Sequence, residues 1–273
     1  MCDICVMNSV KEQMLSRRDF FRASVATAAA VTVGGVIAAP PAMAAGHSGV
    51  VDMTHTYDGS FPTYFGAPGF SAEQAFNFAE HGFNLFNLSI NEHTGTHIDA
   101  PLHFSADGAS VDEIPVTDLV VPLCVVHIHE RAADNADAQV TPDDLKAWIA
   151  ANGPIPDRAC VAMHSGWDVK TGDDGYRNAD DAGVMHFPGF HLEATQMLLE
   201  ETTASAIAVD TLSLDHGPSA DFATHYAWLP AGRYGIENLK GLADVPAAGA
   251  TLVVGAPTHR GGTGGPARIF AMV

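Results

Sequence analysis

Short apolar runs recur along the chain over residues 49–53, 85–90, 119–129, 159–163, 206–209 and 251–255, each bounded by Gly, Pro or Asp. Runs of that length between turn-forming residues predict β-strands. Two segments carry helical signals instead. Thr141-Pro142-Asp143-Asp144-Leu145 offers an N-cap, a proline in the first turn and a stop at Gly153. A second helix is predicted over 192–201, with Leu192, Gln196 and Leu199 on one stripe. Many strands and few helices predict an α/β or α+β domain built on a mixed sheet. The glycine cluster Gly261-Gly262-Thr263-Gly264-Gly265 follows the last long predicted strand and precedes Pro266, which disfavours a doubly wound nucleotide-binding fold.

One segment breaks the apolar pattern in an informative way. In His93-Thr-Gly-Thr-His97-Ile-Asp99-Ala-Pro-Leu-His103, the residues His93, Gly95, His97, Asp99, Pro101 and His103 share one parity. Between them lie Thr94, Thr96, Ile98, Ala100 and Leu102, which are small, β-branched or apolar. On a strand this places the polar groups on one face with a packing face behind. Gly95, the β-branched residues and Pro101 argue against a helix. A straight strand would hold His93 and His103 roughly 33 Å apart, so the two share a site only if the chain bends. Bends are expected at Gly95 and Pro101, leaving His97 and Asp99 as a same-face pair. Imidazole and carboxylate are ordinary ligands of zinc and manganese, and imidazole is the commonest general base.

Composition narrows the partners. The chain has 273 residues and a formal charge of −19. Ser16-Arg17-Arg18-Asp19-Phe20-Phe21, an alanine-rich run over 23–39 and Ala42-Met43-Ala44 resemble a twin-arginine (Tat) signal peptide. Residues 1–44 are therefore expected to be removed, leaving a domain over 45–273 that is periplasmic or otherwise exported. The leader holds four basic and three acidic residues, so the charge becomes about −20 without it. An acidic surface of that size excludes nucleic acid as a partner, and membrane docking after export. Cys2 and Cys5 leave with the leader, whereas Cys124 and Cys160 lie in apolar strand-like runs and are expected as buried free thiols.

A ligand cluster from one segment needs partners from elsewhere. Val209-Asp210-Thr-Leu-Ser-Leu-Asp215-His216 leaves a predicted strand and becomes a polar loop, and His225 follows. Glu237 lies between Ile236 and Asn238-Leu239, where a carboxylate needs a partner such as a metal. Other histidines are weaker candidates: His127 and His129 as a same-face strand pair, His164 as a pocket wall, and His216 as a support for the ligands. Phe61, Tyr64, Phe65, Phe83 and Phe86 suit an aryl-binding wall or core packing equally well.

The segment 93–103 resembles the H-x-G-T-H-x-D-x-P-x-H motif of the cyclase superfamily of metal-dependent hydrolases, which includes kynurenine formamidase and isatin hydrolase. Looser matches run through Val51-Asp52-Met53-Thr54, Ser165-Gly166-Trp167-Asp168, Val209-Asp210-Thr211-x-Ser213-Leu214-Asp215, Glu237-Asn238-Leu239 and Gly265-Pro266-Ala267-Arg268. The resemblance implies a compact single α/β domain with a mixed β-sheet of the swivelling β/β/α type, assembled as a homodimer or higher homo-oligomer. It implies a first metal on His93, His97 and Asp99, with Asp99 bridging to a second on His225 and Glu237. His103 is then the general acid/base. The implied activity is cleavage of an amide, an N-formyl aryl amide such as N-formylkynurenine or a cyclic amide such as isatin, by metal-activated water. Zinc and manganese suit the ligands equally, and one or two ions fit the pattern. A lactone or ester hydrolase with the same site is the enzymatic alternative, and a non-catalytic periplasmic metal- or ligand-binding protein is the other.

Overall fold

The structure, a computed structural model, describes residues 49–172 and 175–273. The leader expected over 1–44, with Cys2 and Cys5, lies outside the described residues. The described chain enters with β1 (Val50–Asp52), then β2 (Phe70–Phe76), helix α1 (Phe78–His81) and β3 (Leu85–Ile90). β4 (His97–Asp99), β5 (Val120–His127), helix α2 (His129–Asp134) and β6 (Gln139–Val140) follow. Helix α3 (Pro142–Asn152), β7 (Cys160–His164), β8 (Gly189–Phe190), helix α4 (Leu192–Glu201) and β9 (Ala206–Val209) form the middle. Helix α5 (Ala223–Trp228), β10 (Tyr234–Glu237), β11 (Ala250–Gly255), β12 (Gly264–Pro266) and β13 (Arg268–Met272) complete the order.

The main sheet has nine strands among the described residues, in the order β1-β13-β11-β5-β7-β9-β10-β4-β12. Its centre, β5-β7-β9-β10, is parallel. Both flanks are antiparallel, through β11 on one side and β4 on the other. The central strands are apolar on both faces because both faces are covered. Val121, Leu123 and Val125 of β5 enter one core, while Cys124 and Val126 enter the other. The first core also takes Ile98, Ile236, Leu252 and Ile269 from strands far apart in the order, so the sheet curls around it. The small residues Ala162, Ala206 and Ala208 allow that curvature. Helices α3 and α4 cover the second core through Leu145, Trp148, Ala194 and Leu198.

The mixed-sheet α/β expectation agrees with this architecture, and the predicted strands appear close to their expected bounds. Helix α3 starts at its predicted cap, with the Thr141 hydroxyl accepting from the Asp144 N–H. Four details differ. The buried stripe of α4 is Ala194, Thr195 and Leu198, with Gln196 exposed, because small side chains let this helix approach the sheet. The predicted strand over 119–129 ends at His127, where Ile128 leaves the extended region (φ −124°, ψ 10°) and α2 begins at His129. Two strands, β12 and β13, follow the position taken as the last long strand, and β12 is part of the glycine cluster itself. β2 pairs with β3 in a separate hairpin that leaves Phe86, Leu88 and Ile90 40–57% exposed. Cys124 and Cys160 are free and buried, on opposite faces of the sheet.

Several motif fragments turn out to be scaffold. Asp52 takes a two-pronged ion pair from Arg268 at 2.8–3.1 Å, and the Thr54 hydroxyl donates to the Ile269 carbonyl, tying β1 to β13. The Ser165, Gly166 and Trp167 amides converge on Asp210. Burial pushes the Asp210 carboxyl up to about 7, against those bonds.

Candidate metal centre

Every predicted site residue is placed by a strand end, a tight turn or a short helix next to Asp99. β4 carries His97 and Asp99 on one face with Ile98 packed behind them in the core. Gly95 turns the chain with φ +64°, a left-handed conformation that suits glycine, and so brings His93 back over the strand. Pro101 opens a 3-10 turn over Pro101–His103 that swings His103 round from the other side. The bends thus fall where the spacing requires them.

The partners arrive from β10 and α5. Glu237, the last residue of β10, is the cross-strand neighbour of His97, and Gly235 is that of Asp99. A Cβ at Gly235 would meet Leu214 at 2.7 Å, so glycine makes room for the Leu214 side chain beside Asp99. On the other side of β4, Gly264 opposes Asp99 and leaves room for the His93 ring. The site therefore lies where the sheet changes from parallel to antiparallel neighbours, a common place for a crevice.

The distances show one shared cluster. His93 Nδ1 lies 2.8 Å from Asp99 Oδ1. His97 Nε2 lies 3.3 Å from both Asp99 Oδ1 and Glu237 Oε2. His225 Nε2 lies 3.2 Å from Glu237 Oε1 and 3.7 Å from Asp99 Oδ2. His97, Asp99, His225 and Glu237 are each no more than 6% exposed, so bulk water does not satisfy them. His97 Nε2 and Asp99 Oδ2 have no hydrogen-bond partner.

The opposite nitrogens of the three imidazoles explain this arrangement. His97 Nδ1 faces the Gly95 carbonyl at 2.9 Å, and His225 Nδ1 faces Asp215 Oδ2 at 2.6 Å. His93 Nε2 faces Thr263 Oγ1 at 3.0 Å, and that hydroxyl donates to Glu92. Each outer nitrogen therefore meets an acceptor and carries the N–H, which leaves each inner nitrogen with its lone pair turned toward carboxylates. Lone pairs facing carboxylates are tolerable only with positive charge between them. Protons or a cation can supply it.

The titration behaviour agrees. Burial alone would lower His97, but Asp99 and Glu237 outweigh it and raise the ring to about 10. His225 is likewise held well above its usual value by Asp215, Asp99 and Glu237 in spite of burial. Burial alone would raise Asp99, yet the surrounding imidazoles hold it well below the usual carboxylate range. Imidazole and carboxylate donors with fixed outer hydrogen bonds fit a divalent transition metal. His97, Asp99 and Glu237 present donor atoms within 4.8 Å of one another, as do His93, Asp99 and His103. Within the cluster His93 and His97 both face Asp99 Oδ1, His225 faces Asp99 Oδ2 and Glu237, and His97 also reaches Glu237 across the strands.

His103 borders the cage, with a ring nitrogen within 4.8 Å of donor atoms of His93 and Asp99. Its ring stacks on His93 with centroids 3.8 Å apart and lies edge-on to Phe104 at 4.7 Å. Burial lowers its pKa to about 4, with the Asp99 charge opposing and the His93 charge adding to the shift. The ring is therefore neutral at pH 7, with one nitrogen unprotonated.

The cluster opens onto a cavity of about 390 Å³, walled by Tyr64, Phe65, Phe104, Leu212 and Phe222. Tyr64 and Phe65 thus line the site. Phe61 is buried against His55 and Tyr176, and Phe83 is on the β2–β3 hairpin connection. Phe86 lies within β3. Phe222 adopts a left-handed backbone (φ 50°), an uncommon conformation for an aromatic residue, and caps α5.

Two functional positions escape sequence reasoning. Asp215, not His216, supports the site: it accepts from His225 Nδ1 and from the Thr224 and His225 amides. Asn238, in a left-handed conformation asparagine tolerates, donates to the Gly95 carbonyl and accepts from the Tyr176 hydroxyl. The only signal for either was its place in a motif fragment. His164 is not among the residues lining the cavity; it meets His127 and His129 instead.

Comparison with known proteins places the chain in a family. The Cyclase family model, described as "Putative cyclase", matches residues 51–216. Isatin hydrolase of Roseibium aggregatum is 32% identical over 196 residues, covering 68% of this chain and 73% of that protein. Kynurenine formamidase of Salinibacter ruber is 31% identical over 163 residues, 60% of this chain and 66% of that protein. The solved isatin hydrolase A from Labrenzia aggregata, bound to benzyl benzoate, superposes with a TM-score of 0.77 at 35% identity, covering 82% of this chain and 93% of that one. With the family motif folded into one cluster and these relatives alongside, the chain belongs to the cyclase family, as a hydrolase related to isatin hydrolase and kynurenine formamidase.

Proposed function

We propose that the protein is a metal-dependent amidohydrolase that opens an N-formyl aryl amide or an isatin-like cyclic amide. The observation that carries this reading is a neutral imidazole, His103, stacked at 3.8 Å on a cage of histidines and carboxylates at one end of an aromatic-walled cavity. His93, His97, Asp99, His225 and Glu237 would hold one or two divalent ions, zinc or manganese. Such an ion supplies Lewis acidity, withdrawing electrons from a carbonyl oxygen and making water more acidic.

The remaining chemistry belongs to side chains. Tyr64, Phe65 and Phe222 bind the flat face of an aryl ring and exclude water from around it. The unprotonated nitrogen of His103 takes a proton from the attacking water, then returns it to the nitrogen that departs as the amide C–N bond breaks. Phe104, edge-on to His103 and 4.6 Å from the His225 ring, keeps both imidazoles in register. The names of the relatives support the amide class: isatin is a cyclic aryl amide and N-formylkynurenine a linear one.

The test is an ultraviolet assay of purified protein on isatin, N-formylkynurenine, an aryl lactone and an aryl ester. Turnover on one of the amides at least tenfold above both oxygen analogues is expected. Preference for the lactone or ester moves the substrate class, and bound metal without turnover on any of the four makes the protein a binding protein.

A further inference from the structure

A second group of histidines converges outside the catalytic cavity. His127 ends β5 and His164 ends β7, and the two are register partners on neighbouring parallel strands, so their side chains leave the same face. His129, the first residue of α2, closes the group from above, its ring stacked on His164 at 4.8 Å. His127 Nδ1 and His164 Nδ1 are 2.8 Å apart. One nitrogen from each of the three rings lies within 4.8 Å of the other two.

Asp168 acts on His164 only through its charge, without a hydrogen bond. Apart from the mutual His127–His164 contact, no hydrogen bond to any of the three is made among the described residues. His127 and His129 face solvent while His164 is 7% exposed, so the group is a shallow three-nitrogen cup with an open side. The backbone ties them: the Ile128 N–H donates to the His164 carbonyl at 2.9 Å, and a Cβ added at Gly166 would sit 3.6 Å from His129 Cβ, so the next turn of chain runs beside His129. Two exposed imidazoles and one buried one held this close, with no carboxylate bonded to them, is an arrangement that a hydrogen-bonded surface does not require.

We propose that His127, His129 and His164 form a second metal site, separate from the Asp99 cage, that takes one divalent ion of the zinc, copper or nickel class. Imidazole suits those ions, and three imidazoles with a solvent-facing fourth position match a tetrahedral zinc geometry. Nitrogen ligands about 2.1 Å from a tetrahedral ion stand roughly 3.4 Å from each other. The His127–His164 pair must therefore open slightly and His129 close in. Side-chain rotation of the two exposed residues is sufficient. The proposal does not depend on the reaction assigned to the main cavity.

Zinc content after dialysis against micromolar zinc, measured on tag-free full-length protein, tests it. Wild type is expected to hold one zinc per chain more than a His127→Ala/His129→Ala variant, whatever the number bound at the Asp99 cage. Both replaced residues are exposed, so the variant should fold and hydrolyse at the wild-type rate. An Asp99→Ala variant should lose the ions of the cage and keep this one. Equal zinc in wild type and the double variant overturns the proposal. So does an extra ion that disappears with Asp99→Ala, because it then belongs to the cage.

Discussion

Replacing Asp215 with asparagine separates the support of the metal centre from its ligands. Asp215 Oδ1 accepts from the Thr224 amide at 2.8 Å, and Oδ2 accepts from the His225 amide at 3.2 Å and His225 Nδ1 at 2.6 Å. Asparagine has one oxygen for these donors. If it faces Thr224, the new NH₂ can only donate to His225 Nδ1, which moves the ring proton to Nε2. That nitrogen lies 3.2 Å from Glu237 and 3.7 Å from Asp99, and with a proton it no longer offers a lone pair. If the amide flips, His225 keeps its tautomer but the Thr224 donor is opposed by the NH₂. Losing the partner that orients a ligand histidine typically lowers metal affinity 10–100-fold, about 1.4–2.8 kcal/mol. Losing one bond to a charged acceptor at a helix start destabilises the fold by about 1–3 kcal/mol. Zinc affinity by chelator competition and melting by calorimetry measure the two effects. Asp215→Asn is expected to bind zinc at least tenfold more weakly, and binding within twofold of wild type would refute the orienting role.

His103→Ala should keep its metal and lose turnover by about 10²–10⁴-fold, whereas Asp99→Ala should lose both; full activity in His103→Ala removes His103 as the base. Because His97 and His225 carry protons in the metal-free protein, metal binding at pH 7 should release more than one proton per chain, read by calorimetry in buffers of different ionisation enthalpy. The folded-state value of His97, about 10, lies above the 6.5 of a free imidazole, so its protonation stabilises the metal-free fold. That contribution is complete below pH 6.5 and disappears as pH rises through about 10, and melting of chelated protein should fall over this window more steeply than melting of loaded protein. Parallel curves would count against the cage. Gly264→Ala places a Cβ against the Ile98 carbonyl oxygen and 2.9 Å from the His93 ring, and should destabilise the protein by about 1–3 kcal/mol while displacing His93; an unchanged melting temperature contradicts that packing.

The strands of the central sheet were legible because both their faces are buried, which writes a continuous apolar run into each segment. β10 was not, because Gly235 interrupts its run to make room for the Leu214 side chain. Helix α5 was missed because its cap is not adjacent: Asp215, nine residues upstream of Thr224, takes its first amide, and Phe222 enters through a left-handed turn. The pair His97 and Asp99 could be read from parity, since it is local to β4. The outer partners could not. His93 is oriented by Thr263 from 170 residues away, and only the fold brings them together. Glu237 carried a weak local signal, a carboxylate set among apolar neighbours, whereas His225 gained its role only through family resemblance. The aromatic residues before the motif divided between cavity wall, core and exposed hairpin, a choice that depends on tertiary placement alone.

The central claim is that the buried His–carboxylate cage is a metal centre on which hydrolysis depends. Turnover of isatin or N-formylkynurenine, followed in one preparation before chelation, after complete metal removal and after zinc or manganese is restored, tests it most directly. Activity should vanish with the metal and return with it. Metal-free protein that hydrolyses its substrate at the original rate would contradict the account.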